Sequence, residues 1–239
     1  MKNYQNIIEY YDELYPVTQD QKDFFSSLLK EYPVPSKFLG IECATGLFEY
    51  QLAKDGLDVT GIDSSPELLH SANLRRRSQL MSVRFFEMSY IDISRFLGKG
   101  FYNVISCLND KIIFIQDTTL LKKFLYDCKE LLAPGGTLIL EFSNFNTSPG
   151  QLPVRESIRA KLFSELYSDE TNTVRMEQNI ETGNGKLLPV LERHAIRPLY
   201  TDELETFAKN AGFNSIEFYS NYKKEPLSEQ SPKVVALLK

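Results

Sequence analysis

The feature that most constrains the fold is an apolar run that breaks at small residues and is followed by a second run ending in an acid. Residues 38–43 read FLGIEC with little polar alternation, which is typical of a strand covered on both faces. The small residues at 44–46 then predict a tight turn into a helix whose free N–H groups face a ligand. The run at 59–62 ends in Asp63, about 20 residues beyond the turn's start, where dinucleotide-type folds place the carboxylate that accepts ribose hydroxyls. This order predicts a nucleoside-binding unit.

The composition limits the class of partner. At 239 residues, 42% hydrophobic and 25% charged, the chain is long enough for one α/β domain with a substantial core. The net charge of -5 and the pI near 5.3 give no broad electropositive field, which argues against nucleic acid and anionic membranes as partners. Small-molecule chemistry is therefore the better expectation.

The cysteines and the N-terminus bear on the compartment. Cys43, Cys107 and Cys128 lie in apolar runs without CxxC spacing and are interpreted as buried free thiols of a reducing compartment. No His/Cys cluster has the spacing of a metal site, so we expect no metal. The first six residues, MKNYQN, lack a signal-peptide core, and no apolar stretch is long enough to span a bilayer. We therefore expect a cytoplasmic protein.

Three segments of the sequence resemble a known family. The motif CATG at 43–46, the run VTGIDSSPE at 59–67 and the run LLAPGGTL at 131–138 resemble class I S-adenosylmethionine-dependent methyltransferases. The likeness is closest to the small-molecule branch that includes glycine N-methyltransferase-like and amino-sugar N-methyltransferase-like enzymes. An NAD site is disfavoured because its pyrophosphate needs close backbone approach at several glycines, whereas this turn has one motif glycine. The resemblance implies S-adenosyl-L-methionine as the cofactor.

The element order and the resemblance imply an α/β fold. We expect a Rossmann-like doubly wound sheet, mostly parallel with an antiparallel last strand, plus N-terminal helices and a β-hairpin lid. One methyltransferase domain is expected over 1–239, with an N-terminal helical cap at 1–36, a cofactor-binding core at 37–145, a lid insertion at 146–198, and a C-terminal helix and two strands at 199–239.

Local patterns predict the elements of the cap and the lid. Helical spacing predicts a first helix over 4–14, and Thr18 with Gln21 forms a capping box for a second. In the lid, a helix around 158–166 precedes two extended runs, 173–180 and 186–196. The turn TGNG between these runs is typical of a hairpin.

The chain departs from the family pattern at two positions. Gly40 stands where the family usually has an acid, and Glu42 stands where it usually has the first motif glycine. If both positions lie on the same side of a strand, Glu42 supplies a displaced acid near the amino group of the ligand's methionine part. The Cβ of Glu42 also stands where the backbone should approach the ligand, so the sequence does not fix the affinity for the cofactor.

The resemblance places cofactor contacts at the ends of successive strands. Asp63 matches the acid that binds the ribose, Glu87 matches the acid that accepts the adenine amino group, and Met88 matches a residue that packs on the ring. Ser64 is also expected to cap the next helix. A surface role for Glu87 and a turn role for Asn109 stay open as alternatives. The expected cofactor set is Glu42, Ala44, Thr45, Gly46, Asp63, Ser64, Glu87, Met88, Leu108 and Asn109.

Methyl transfer from a sulfonium needs no covalent intermediate, since alignment of the acceptor with the S–CH3 bond supplies much of the acceleration. A general base matters only if the acceptor arrives protonated. The candidates are His194, Tyr11 and Asp110, although a lone His on an extended run is more often structural and Asp110 also fits a turn.

The sequence therefore favours an enzyme that methylates a nitrogen or oxygen of a small molecule by direct in-line displacement. We expect no nucleic acid or membrane partner, and a homodimer is compatible with the sequence. The alternative is a catalytically degenerate methyltransferase-fold protein, in which the changes at Gly40 and Glu42 leave a binding or regulatory role. A nucleic-acid or protein methyltransferase is disfavoured by the acidic pI.

Overall fold

The computed structural model describes residues 3–76, 82–146 and 151–239, and eleven strands and seven α-helices are present in these residues. Short 3-10 turns lie at Tyr4–Asn6, Ile8–Tyr10 and Lys111–Phe114. The helices are α1 (Tyr11–Leu14), α2 (Gln19–Leu29), α3 (Leu47–Lys54), α4 (Pro66–Arg76), α5 (Ile93–Phe96), α6 (Thr118–Leu131) and α7 (Thr201–Asn210). The strands are β1 (Lys37–Ile41), β2 (Asp58–Asp63), β3 (Val83–Glu87), β4 (Tyr102–Cys107), β5 (Leu132–Ser143), β6 (Gln151–Glu156), β7 (Ala160–Ser168), β8 (Val174–Thr182), β9 (Leu187–Ala195), β10 (Ile216–Tyr219) and β11 (Lys233–Leu238).

The central sheet confirms the expected fold class. Its strand order is β10-β11-β5-β4-β1-β2-β3, with parallel pairing from β5 through β4, β1 and β2 to β3. The strand β11 runs antiparallel to both β5 and β10, so the last strand is reversed as predicted. The carboxyl ends of β1, β2 and β4 meet at one edge, which is where open α/β sheets bind ligands.

Apolar side chains cover both faces of this sheet. Phe38 packs with Phe25 of α2 and Phe48 of α3 on one face. Its neighbour Leu39 belongs to a second cluster on the other face, together with Phe124 of α6. Because successive side chains of a strand point to opposite faces, β1 needs apolar residues throughout, and this explains its unbroken apolar pattern.

A second, antiparallel sheet with the order β6-β7-β8-β9 forms the lid, which we define as the described residues 151–195. The predicted hairpin is confirmed: β8 and β9 pair, and the Thr182 N–H donates to the Lys186 carbonyl at 2.9 Å. Leu162 and Met176 of the lid join the same core cluster as Leu39. The lid is therefore packed onto the central domain.

The predicted helix around 158–166 is wrong, because residues 160–168 form the strand β7. Ala160, Leu162 and Leu166 are buried while Lys161 and Glu165 between them are exposed. Burial at every second residue is the period of a strand, and in this segment it outweighs the helix propensity of the individual residues.

The cap, which we define as residues 3–36, begins with two 3-10 turns and the short helix α1 where one helix over 4–14 was predicted. The Asn3 N–H donates to the Val190 carbonyl at 2.8 Å, and the Asn6 amide donates to the Pro189 carbonyl at 2.7 Å. These bonds tie the segment to β9 and compete with a regular helix. The second cap helix is as predicted, and the Thr18 hydroxyl accepts from the Gln21 N–H at 3.2 Å.

Among the residues described, no helix has the length and apolar character required to cross a membrane.

Candidate active site

The cofactor turn, residues 42–46, is built from left-handed backbone. Glu42, Ala44 and Gly46 have φ values of 55°, 52° and 65°. Because β1 ends at Ile41 and Glu42 is left-handed, the strand alternation stops before Glu42, and the prediction that positions 40 and 42 share one side of a strand is wrong. A Cβ on Gly46 would lie 2.5 Å from the Phe85 ring, so both backbone angle and space require glycine there.

Asp63 fastens this turn to the end of β2. Its carboxylate accepts hydrogen bonds from the Ala44 N–H at 2.7 Å and from the Ser65 N–H at 2.8 Å, and the residue is 2% exposed. A carboxylate has about four acceptor positions, so two backbone bonds leave capacity for ligand hydroxyls. The acid that the sequence assigns to the ribose thus also shapes the turn.

Ser65, and not Ser64, caps helix α4. The Ser65 hydroxyl accepts from the Leu68 N–H at 3.3 Å and donates to the Glu67 carboxylate at 2.8 Å. The Asp63 carboxylate holds the Ser65 N–H, and this turn of the chain leaves Ser64 exposed. The predicted capping role of Ser64 is therefore wrong, and its side chain is available at the adjoining recess.

That recess lies beyond the ends of β2 and β3 and has a volume of about 640 Å³. It brings together three of the predicted cofactor residues, Ser64, Glu87 and Met88, of which the last two were assigned to the adenine. The exposed rings of Phe86 and Phe96 supply apolar walls suited to a flat heterocycle. The remaining lining residues are Ser89, Asp92 and Leu97.

A smaller cavity of about 40 Å³ lies above the cofactor turn. It brings together the predicted residues Glu42, Thr45, Leu108 and Asn109, along with Glu49 of α3. Its other lining residues are Tyr11, Tyr15, Pro16, Val17, Gln21, Ile41, Cys43, Leu47, Phe48 and Ser106.

The cap closes over the cofactor turn through Asp12. The Thr45 hydroxyl donates to one Asp12 oxygen at 2.6 Å, while the other Asp12 oxygen pairs with Arg75 of α4. Thr45 is 3% exposed. The arrangement links the cap, the turn and α4 at one point.

A cavity of about 250 Å³ lies between the cap, the ends of β4 and β5, and the lid. Tyr11, Tyr15 and Asn109 line both this cavity and the smaller one above the turn. A group held in one cavity can therefore approach a group held in the other. Polar and charged lining residues are Asp110, Lys111, Glu141, Ser143, Arg155, Ser164, Gln178 and Lys233.

Comparisons with known proteins show that the chain is similar to methyltransferases. Residues 38–136 match the family model described as "Methyltransferase domain". The Bacillus subtilis (strain 168) protein named "Putative methyltransferase YqeM" is 26% identical over 241 residues, which cover 97% of this chain and 94% of that protein. These matches support an S-adenosylmethionine-dependent methyltransferase, with the match to the domain model confined to residues 38–136.

Solved structures show the same fold for the methyltransferase. The CcbJ methyltransferase from Streptomyces caelestis aligns with a TM-score of 0.81 at 17% identity, covering 100% of this chain and 96% of that chain. An S-adenosylmethionine-dependent methyltransferase from Clostridium acetobutylicum ATCC 824 gives 0.80 at 20% identity, with 99% and 98% covered. CalS10, an amino pentose methyltransferase from Micromonospora echinaspora solved with its cofactor bound, gives 0.67 at 15% identity, with 98% and 97% covered.

The methyltransferase has residues that fit S-adenosylmethionine, which supplies a methyl group activated by a sulfonium. The recess at Met88 suits the adenine, Asp63 retains acceptor capacity for the ribose, and the cavity above the turn contains the buried acid Glu49 for a cationic amino-acid tail. The chain of recesses follows the ends of β3, β2 and β1 in that order.

Asp110 lines the cavity of about 250 Å³ beneath the lid. One of its oxygens accepts from the Ser143 N–H at 2.5 Å, and the other lies 3.7 Å from the Arg155 guanidinium. Burial raises the pKa of the Asp110 carboxyl, while Arg155 and the Ser143 hydrogen bonds oppose that rise. Asn109 and Asp110 both have left-handed backbone, which Asn and Asp tolerate better than other residues.

Tyr11 also lies in this cavity, stacked on Tyr15 with ring centroids 4.5 Å apart. Burial raises the pKa of the Tyr11 hydroxyl above its usual value, so the group stays protonated at neutral pH. His194 is not among the residues that line the cavity; its ring lies 5.3 Å from the ring of Phe114, which is a lining residue. The structure thus brings Tyr11 and Asp110 together and leaves His194 behind Phe114.

Sequence reasoning missed several residues of the methyltransferase site. Glu49 was not singled out, although an acid in the first turn of α3, three residues after the cofactor turn, was a readable signal. Glu141, whose carboxylate accepts from the Tyr222 hydroxyl and lies 3.5 Å from Lys233, had no signal beyond its position near the end of β5. Arg155 lies in a lid strand that the sequence did not reveal.

Proposed function

We propose that the methyltransferase transfers a methyl group to a nitrogen or oxygen of a small molecule bound in the cavity beneath the lid. The acceptor lone pair forms the bond to the methyl carbon while the S–C bond breaks, and its electron pair returns to sulfur to give S-adenosylhomocysteine. The proton of the acceptor is lost to a base or to water. The branch we propose is the one that includes glycine and amino-sugar N-methyltransferase-like enzymes.

The observation that carries this proposal is the wall shared by the two cavities. Tyr11, Tyr15 and Asn109 contact both the space above the cofactor turn and the space beneath the lid. Direct displacement requires the reacting atoms about 3 to 3.5 Å apart in a site with little water, and a common wall supports that approach. The volume of about 250 Å³ favours a small acceptor over a polymer.

The chain's own residues would position the acceptor and accept its proton. Asp110 is the best placed base, because its carboxylate lines the cavity and burial makes it a better proton acceptor than an exposed Asp. Tyr11 stays protonated and would orient the acceptor through its hydroxyl. His194 has weaker support as a base, since it does not line the cavity and its ring instead lies next to that of Phe114, which does.

The ionic lining supports a polar acceptor. Arg155 stacks on the Tyr15 ring, with its guanidinium carbon 4.3 Å from the ring centroid, and Lys233 lies 3.5 Å from Glu141, another lining residue. Both signs of charge are therefore available to a molecule that carries amine, hydroxyl or anionic groups. The amino pentose acceptor named for CalS10 is a molecule of this general kind.

The test is a screen for acceptor-dependent turnover. The protein is incubated with S-adenosylmethionine and pools of amino sugars, amino acids, amines and phenols, and both S-adenosylhomocysteine and the methylated product are followed by mass spectrometry. We expect one class to be methylated, and Asp110→Asn to lower turnover about 100-fold while S-adenosylhomocysteine affinity is retained. The matched control is Glu165→Gln on the exposed face of the lid. Cofactor binding without turnover of any pool, but with methylation of a protein or RNA fraction, would refute the small-molecule assignment.

A further inference from the structure

The space above Gly40 is filled by a carboxylate from another element. A Cβ built on Gly40 would lie 2.0 Å from Oε1 of Glu49 and 2.8 Å from its Cδ. The acid expected at position 40 from the family pattern is therefore absent, and a carboxylate from α3 stands where its side chain would begin. The glycine at 40 and the acid at 49 depend on each other, since only a residue without a side chain leaves room for Glu49.

Glu49 is buried, and no cationic side chain in the described part of the chain pairs with it. It is the third residue of α3, is 4% exposed and lines the cavity above the cofactor turn. Among the residues the structure describes, no ion pair and no side-chain hydrogen bond to its carboxylate is formed. Burial raises the pKa of Glu49 to about 8, with Asp63 adding to the rise and its own backbone N–H opposing it.

We infer that Glu49 binds the α-ammonium group of the methionine part of S-adenosylmethionine, in place of the acid that is absent from position 40. This rests on the proposed placement of the methionine part in the cavity above the cofactor turn. A buried carboxylate without a cation is costly, and a ligand ammonium of opposite charge offsets that cost. The α-helix favours the same arrangement, because its N-terminus stabilises the negative charge of a residue in its first turn.

Glu42 is the competing acid, because it lines the same cavity. It differs from Glu49 in being partly exposed and in acting on the buried Lys111, whose pKa it helps to raise. Glu42 therefore already lies in the field of a protein cation, whereas Glu49 does not. Replacement of Glu42 and replacement of Glu49 should therefore have different effects on ligand binding.

Binding of the ammonium should release a proton from Glu49. With a pKa of about 8, the carboxyl is about nine-tenths protonated at pH 7 in the empty site, and it must ionise to pair with the ligand. Below pH 8 the affinity for the ligand should therefore fall about tenfold for each pH unit. Among the described residues, the titratable groups that line the cavity with Glu49 or act on its pKa are Glu42, Cys43, Asp63, Tyr11 and Tyr15, and none of them is a cation; the buried Lys111 interacts with Glu42, Asp63 and Tyr11 of this set.

Calorimetric titration with S-adenosylhomocysteine tests the assignment on the intact chain. Measurements at pH 7 in buffers of different ionisation enthalpy count the protons released, and we expect about 0.9 for the native protein. The control ligand is 5′-methylthioadenosine, which lacks the amino-acid tail and should bind without releasing the proton. Glu49→Gln should abolish the release and the pH dependence, and weaken S-adenosylhomocysteine about tenfold or more, while Glu42→Gln should retain the release.

A transplanted acid gives a second, independent test. Gly40→Asp alone should weaken binding, because the new side chain collides with Glu49. Gly40→Asp combined with Glu49→Ala should recover at least part of the lost affinity, since the carboxylate returns to the same space. S-adenosylhomocysteine binding without proton release, or release lost in Glu42→Gln and kept in Glu49→Gln, would overturn the role of Glu49 alone. Binding of neither ligand would refute the cofactor site itself.

Discussion

The cofactor turn and the lid are held in place by different kinds of interaction. In the turn, a carboxylate that is 2% exposed accepts two backbone hydrogen bonds, and Gly46 packs against the ring of Phe85. The lid packs on the central domain through buried apolar residues and accepts hydrogen bonds from the cap at its backbone. Its ionic contact with the cap, however, is an exposed ion-pair group, in which Arg159 bonds the side chains of Glu9 and Glu13. Buried, directional bonds resist change, while exposed ion pairs contribute little and are screened by salt.

This difference matches the ligands that we propose for the two regions. A turn that binds a cofactor of fixed structure should tolerate little change, so even one added Cβ should impair it. The lid contributes Leu152, Arg155, Ser164 and Met176 to the acceptor cavity from three different strands. Substitutions there can alter the acceptor without disturbing the cofactor.

The largest effect should come from the turn. Gly46→Ala is expected to destabilise the fold by about 3 kcal/mol, because left-handed backbone costs a residue with a side chain about 1 to 2 kcal/mol and overpacking against Phe85 adds about 1 to 3. Urea denaturation followed by circular dichroism measures the change.

The matched control for that variant lies at the other end of α3. Gly56 has φ of 91°, and a Cβ there would meet nothing within 4 Å. Gly56→Ala should therefore show only the backbone cost of about 1 kcal/mol. Equal losses in the two variants would mean that close packing does not distinguish the turn.

Asp63→Ala should have the next largest effect. Removal of the carboxylate leaves the buried N–H groups of Ala44 and Ser65 without their acceptor, which costs about 2 kcal/mol of stability, and S-adenosylhomocysteine binding should weaken by about 1 to 3 kcal/mol. Denaturation and calorimetry measure the two losses separately. In the control Asp58→Ala, at the start of the same strand, an exposed pair with Arg84 is lost and the cost should stay below about 1 kcal/mol. A stability loss with native affinity would make Asp63 structural only.

The cofactor half was predictable because its determinants are local in sequence. The strand at 37–41, the turn and Asp63 lie within one βαβ unit, so spacing alone places them at one sheet edge. The errors in this half were small: one role was assigned to the neighbouring residue, and one side chain was assigned to the wrong side of a strand. Ser65 replaced Ser64 as the cap of α4, and the left-handed Glu42 left the strand alternation.

The acceptor half was predictable only for Tyr11 and Asp110, because its residues are distant in sequence. Tyr11, Asp110, Glu141 and Lys233 come together only through the strand order of the central sheet and the position of the cap. The lid strand β7 was misread as a helix because its apolar residues, at 160, 162, 163, 166 and 167, do not alternate regularly in sequence, although burial alternates in the fold. Glu49 was missed because its function depends on the absence of a side chain at Gly40, which only the fold brings beside it.

Asp12 joins the two regions and should have an intermediate effect. Asp12→Ala removes the acceptor of the Thr45 hydroxyl and the partner of Arg75, so the cap should hold the cofactor turn less firmly. We expect S-adenosylhomocysteine affinity to fall by about 1 kcal/mol, mainly through faster dissociation, which stopped-flow fluorescence measures. Asp20→Ala is the control, since Asp20 lies in the same cap but is half exposed and 3.4 Å from Lys223. An effect of the control as large as that of Asp12→Ala would show that general loosening of the cap is responsible.

The smallest effect should come from Arg159, the contact between lid and cap. Arg159→Ala removes the bonds to Glu9 and Glu13, all of which are exposed, so the native protein gains little from them at ordinary ionic strength. The loss of stability should be smaller than in Asp63→Ala and should disappear at 1 M salt, where the screening length is about 3 Å. Urea denaturation of native protein and variant at low and high salt measures this difference. Burial shields Asp63 from salt, so Asp63→Ala should lose the same stability at both salt concentrations. A loss of stability in Arg159→Ala that does not depend on salt would show that the contact between lid and cap is held as firmly as the cofactor turn.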